Sequence, residues 1–138
     1  MTERTTEARP RAVGRAGNIG LWVLQVLLAL FLGMAGAGKL AGEEAAIQLF
    51  DDIGFGQWLR YLTGALELAG AIGLLIPALT GLAALGLAAV MFCAALTDAF
   101  ILGGNPVVPG VLMVLALIVA WGRRDRLSAL RDRVSRGT

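Results

Sequence analysis

Histidine is absent from the chain, and cysteine occurs once, at Cys93. The first absence removes the usual axial ligand of haem and the commonest ligand of metal ions, so no metal site is expected. The second excludes an internal disulfide and any dithiol relay within the chain. Charge is also scarce. Of the 138 residues 16% are charged and 57% are hydrophobic, with a mean hydropathy of +0.75. A soluble domain of this size carries far more charge, so the composition is that of an integral membrane protein. The net charge of +2 gives no case for nucleic acid, because the arginines sit beside hydrophobic runs with no binding fold between them. The first apolar run continues for about twenty residues, longer than the core of a cleavable signal peptide, and is expected to be retained.

What is present are hydrophobic runs separated by short polar links. Residues 1–17 are polar, arginine-rich and without apolar periodicity, and are expected to form a flexible basic tail. Ile19 to Gly38 is the first expected span, with Trp22 near one end and Gln25 as its strongly polar interior residue. Residues 41–57 are too polar to span. Ala46, Ile47, Phe50 and Ile53 make an apolar stripe there, and Gly54 and Gly56 are stops, so a short amphipathic helix on the membrane surface is expected.

The second span runs to Pro77, and Pro77 and Gly81 predict a tight hairpin into a third span over about residues 80–102. Ala84, Ala88, Met91, Ala95 and Asp98 fall along one side of that third span. A fourth span over about residues 107–121 follows Asn105 and Pro106, a plausible helix start. The expected fold is therefore all-α: a four-helix integral membrane bundle over residues 18–122, with an outer-surface amphipathic helix between its first two spans. Residues 123–138 form a basic cytoplasmic tail, either solvated or, through Leu127, Leu130 and Val134, lying along the inner leaflet.

Orientation follows from the arginines. Arg4, Arg9, Arg11 and Arg15 precede the first span, and Arg123, Arg124, Arg126, Arg131, Arg133 and Arg136 follow the fourth. Both termini are expected in the cytoplasm. The link carrying Glu43, Glu44, Asp51 and Asp52 then lies outside.

One stretch demands a chemical account. Arg60 to Pro77 (RYLTGALELAGAIGLLIP) is long enough to cross a membrane yet carries Glu67. A carboxylate at bilayer depth costs about 2.5 to 3.5 kcal/mol on insertion scales, so such residues face a helix bundle or a cavity and find a partner. Arg60, Thr63, Gly64, Glu67, Gly70 and Ala71 share one helix face, whereas Leu62, Leu66, Ile72 and Leu75 suit lipid. The small, polar face is the one expected to meet neighbouring helices. Glu67 lies roughly 10 Å deeper than Arg60 at 1.5 Å per residue. With Lys39 at the end of the first span and Asp98 near the outer end of the third, two bases and two acids gather in the outer half.

Two readings stand beside each other. The cluster is a polar lock for the bundle, or it lines an outward-facing pocket for a small polar or quinone-like ligand or passes protons. In the second reading Glu67 carries the proton or accepts the ligand, Lys39 and Arg60 are its counter-charges, Asp98 is a second acid, and Thr63 assists. Gln25, Thr97 and Asn105 are weaker candidates, suited to bonding helix backbone or to capping. Cys93 is expected to be a small packing residue buried in apolar surroundings.

The first-span ending GMAGAGKL (Gly33 to Leu40), the segment IGFGQWLRYLTG (Ile53 to Gly64), LELAGAIGLLIP (Leu66 to Pro77) and TGLAALGLAAVM (Thr80 to Met91) resemble the DoxX-like family of small bacterial four-helix membrane proteins. The resemblance covers the chain apart from its tails, and its glycines, one Lys and one Glu specify fold better than activity. Lys39 and Glu67 match the family's recurrent polar positions, whereas Asp98 is not carried over. The family takes its name from a membrane subunit associated with a thiosulfate:quinone oxidoreductase, and other members are linked to redox or detoxification assemblies. The resemblance thus implies an accessory membrane subunit or anchor in a redox-linked complex, and does not show catalysis; the sequence requires no cofactor, and quinone is the one it leaves room for. Alternatives from the residues themselves are a small oligomeric transporter or permeability protein and a purely structural bundle. The topology is tested by a cysteine placed at Gln48, which should be labelled from outside intact cells, while reporters at either terminus read cytoplasmic. Labelling at Gln48 only after permeabilisation would reverse the orientation.

Overall fold

The computed structural model describes residues 14–137, and all regular structure among them is helical. Residues 1–13, most of the expected N-terminal tail, lie outside the described residues, and the first helix takes in its last part. That helix, α1 (Arg15–Ala41), ends at Gly42, whose φ of 77° lets its N–H return to the carbonyls of Gly38 and Lys39. The link then forms α2 (Glu44–Ile53), stopped by Gly54 at φ 86°. This is the short helix expected between the first two hydrophobic runs, and its Phe50 is buried.

α3 (Trp58–Leu75) stops ahead of Pro77, which forces Ile76 into an extended conformation. The Leu79 N–H closes the turn on the Ile76 carbonyl at 2.9 Å. α4 (Thr80–Thr97) then runs back and passes without a break into a π-helical segment, Asp98–Leu102. α5 (Val107–Gly122) begins where the Asn105 side chain accepts the Val107 N–H at 3.0 Å, and after a break at Arg123 the chain continues as α6 (Arg124–Arg136). The basic C-terminal segment is therefore helical.

Four of these helices share one core. α1 packs most extensively on α3 and α4 on α5, the α3–α4 hairpin joins the two pairs, and α1 also touches α5. Leu28, Leu32, Leu74, Leu87, Met91, Ala116 and Val119 form the centre of the buried cluster. Small residues set the spacing. A methyl group at Gly36 would lie 2.7 Å from the Gly64 carbonyl oxygen and 2.8 Å from the Leu68 amide nitrogen, so α1 and α3 cross backbone to backbone there. At Gly70 an added methyl would meet the Leu87 side chain at 2.5 Å, and at Gly73 the Ala83 methyl at 2.8 Å.

The hairpin end of the bundle is closed by a polar network. Gln25, wholly buried on α1, donates to the Leu74 carbonyl at 2.8 Å, and Arg123 Nε donates to Gln25 Oε1 at 2.8 Å. Arg123 Nη1 reaches Asn18 Oδ1 at 2.7 Å. Leu74 lies in the last turn of α3, where carbonyls lack helical partners, and the Thr80 hydroxyl donates to the Leu74 carbonyl at 3.3 Å and the Ile76 carbonyl at 3.0 Å. Helices α1, α3, α4 and α5 are tied together at this end.

The outer surface is apolar. α1 and the continuous helical run Thr80–Leu102 are long and apolar enough to cross a membrane, and α5 is a shorter apolar helix. Core helices of soluble proteins pass the same test by being buried, but only 33% and 17% of the apolar stretches of these two long helices are buried. Leu27, Leu30, Met34, Leu62, Ile72, Val111 and Ile118 face outward in a belt that suits lipid. Gly36→Ala should destabilise the protein in detergent by about 1 to 3 kcal/mol through overpacking. Gly86→Ala, with no atom within 4 Å of the added methyl, should be neutral or stabilising by up to about 1 kcal/mol. Equal unfolding midpoints for the two variants would contradict the crossing.

Candidate functional site

The end of the bundle beneath α2 is built differently. Here α1 terminates, α3 begins, and α2 lies across both and touches the π-helical segment. An open cleft of about 550 Å³ runs between the α1–α3 pair and the α4–α5 pair. Its walls are apolar, with Phe31, Leu32, Phe50, Leu62, Leu66, Met91 and Leu112 prominent, and its polar residues are Lys39, Thr63, Glu67, Thr97 and Asp98. A volume of this size is in the range of small-molecule sites, which are mostly apolar with a few placed polar groups.

Helix geometry brings the two central charges together. Side chains lean toward the N-terminus of their own helix. Lys39, near the C-terminus of α1, therefore sweeps back toward the bundle centre, and Glu67, on the antiparallel α3, sweeps outward to meet it. Gly36 and Gly64 leave the room between them: methyl groups there would stand 3.1 Å from Glu67 Cβ and 2.9 Å from Lys39 Cβ, respectively. The Lys39 ammonium lies 3.0 Å from Glu67 Oε1 and 3.1 Å from Oε2, so it spans both carboxylate oxygens. The Glu67 side chain is 3% exposed and that of Lys39 17%, which makes Lys39 the member that a ligand in the cleft reaches first.

Arg60 has a different task from the counter-charge expected of it. It is buried, but its Nη1 donates to the Lys39 carbonyl, its Nε donates to Gln57 Oε1 at 2.7 Å, and its guanidinium lies 4.3 Å from the centre of the Tyr61 ring. A cation on a carbonyl of the last helical turn both satisfies that oxygen and opposes the negative end of the helix dipole. Arg60 thus caps α1 and fixes the stretch that carries Lys39, without lining the cleft itself. Among the described residues Glu67 has one ion-pair partner, Lys39.

The remaining candidates divide. Thr63 and Asp98 both line the cleft, and the Asp98 carboxylate has no hydrogen-bond or ion-pair partner among the described residues. The Thr97 hydroxyl donates to the Cys93 carbonyl at 2.8 Å, which is the backbone role anticipated for it. Cys93 departs from expectation: it is exposed and lies on the cleft wall, because α4 faces open space at that level. Sequence reasoning missed Arg123 as a structural residue and its bond to Gln25. The one available signal was the isolated polar Gln25 in an apolar span.

The burial difference within the ion pair generates a test. Lys39→Met strands the deeper charge, so it should destabilise more than Glu67→Gln, with the larger effect reaching about 3 to 5 kcal/mol. The double variant should recover most of the loss. Additive losses in a double-mutant cycle of unfolding in detergent would show that the two groups do not couple.

A family model described as the DoxX-like family matches residues 23–121. The match runs from the third turn of α1 to the last turn of α5 and includes Lys39, Glu67 and Asp98. No curated protein and no solved structure matches the chain.

Proposed function

We propose that this chain, which belongs to the DoxX-like family, is an accessory integral membrane subunit of a redox-linked, quinone-linked complex. In this reading α1, α3, α4 and α5 are four transmembrane helices in a bacterial plasma membrane with both termini cytoplasmic. The cleft then faces outward and takes an amphiphilic ligand. Membership of the family and the apolar helices support a membrane protein. The observation that carries the finer reading is the Lys39–Glu67 pair held inside an apolar cleft. Such a pair adds little to stability compared with an apolar contact of the same size, whereas at bilayer depth ionisable groups mark ligand and proton paths.

With no histidine and a single cysteine, the chain supplies few ligands for a redox centre, so the electron-carrying groups of the complex belong to a partner. The alternative, an oligomeric transporter or permeability protein, requires a path from the cleft to the other membrane face, either through the chain or between subunits. The Gln25–Arg123 network, which closes the hairpin end, weighs against a path through the single chain. Mild purification of the tagged protein from its native membrane should recover it with a redox enzyme. Recovery only as a free protein, without partner or quinone, would overturn the assignment.

A further inference from the structure

The charges that line the cleft do not balance. Lys39 and Glu67 cancel as a contact pair at 3.0 Å. Asp98, at the start of the π-helical segment, is half-buried on the facing wall, the one that α4 and α5 supply, and has no ion-pair or hydrogen-bond partner among the described residues. Arg60, the other buried base near this end, is held on the Lys39 carbonyl and Gln57. The cleft therefore presents one uncompensated carboxylate at the edge of about 550 Å³ of apolar space. Coulomb attraction there is far stronger than in water, since the walls are of low polarity.

We propose that the cleft is a binding site for lipophilic monocations, molecules with one positive charge on a bulky apolar body. The apolar body lies against Phe31, Leu62 and Leu66, and the positive charge is neutralised by Asp98. The Lys39–Glu67 pair is neutral as a unit, so one positive charge balances the cleft and a second finds no counter-charge there. An anionic amphiphile meets the opposite problem, because Asp98 repels it and Lys39 is already engaged by both Glu67 oxygens. The inference rests on the cleft taking an amphiphile, as proposed above, and not on the identity of any redox partner.

The experiment uses the full chain in detergent and in lipid nanodiscs, with empty nanodiscs as the control for partitioning. The probes are tetraphenylphosphonium and tetraphenylborate, ions of nearly the same shape and opposite charge. The cation should bind saturably at one site per chain, and the anion should neither bind there nor displace it. Asp98→Asn should weaken the cation by at least about tenfold, the equivalent of about 1.4 kcal/mol. Asp98→Glu should stay within about threefold of the parent protein on the same scale. Asp52→Asn, an exposed acid on α2 outside the cleft, should leave binding unchanged. Equal binding of the two ions, equal loss in Asp52→Asn, or tighter binding of a neutral short-chain quinone than of the cation would each overturn the proposal. Should Asp98→Asn fail to fold, the comparison of the two ions on the unaltered chain decides alone. None of these outcomes bears on whether a redox partner is recovered from native membranes.

Discussion

An ammonium and a carboxylate share an apolar cleft only if the helices that carry them are held at one separation, and here that separation is set by Gly36 against Gly64. Neither residue makes a polar contact with the pair. Their contribution is the absence of a side chain, which lets two backbones come within van der Waals distance. Lys39 and Glu67, each about one turn away on antiparallel helices, then lean into the same volume. A wider crossing would leave Glu67 buried without its base, a state costlier than any packing gain on offer. The glycine contact and the ion pair are therefore one device, with sterics supplying the geometry that electrostatics requires.

The two ends of the bundle use polar residues to opposite effect. At the hairpin end Gln25, Arg123, Asn18 and Thr80 direct their hydrogen bonds onto carbonyls and onto one another. Those groups are consumed by the structure and have little left to offer a ligand. At the α2 end Arg60 is consumed likewise, but Lys39, Asp98 and Thr63 keep part of their polar surface toward a cleft. Buried polarity thus closes one end and lines an opening at the other.

Much of this was legible in the sequence. The periodicity of α3 separated Gly64, Glu67 and Ala71, which are buried, from Leu62, Leu66 and Ile72, which are exposed, because a helix of 3.6 residues per turn assigns faces without further information. The stop of α2 at Gly54 and the turn at Pro77 followed from local residue chemistry. Arg60 was read to the correct face but with the wrong partner, since whether a guanidinium meets a carboxylate or a carbonyl depends on where the neighbouring helix stops. Gly42 fixes that stop. The exposure of Cys93 and the union of Gln25 with Arg123, 98 residues away in the chain, lie outside local patterns altogether. They depend on how far apart two helix pairs stand. No residue type announces the π-helical turn at Asp98 either.

Because hydrogen bonds join the two helix pairs at the hairpin end, whereas at the α2 end the described bonds run within α1, α2 and α3, the molecule has the geometry of a pair of tongs with its pivot at one tip. An arm of the 18-residue α4 is about 27 Å long at 1.5 Å per residue. A tilt of about 5° at the pivot therefore moves the far end of such an arm by about 2 Å, roughly one methyl radius, with almost no displacement at the pivot itself. The width of such a mouth is set by helix tilt over the whole helix length as well as by the side chains at the opening.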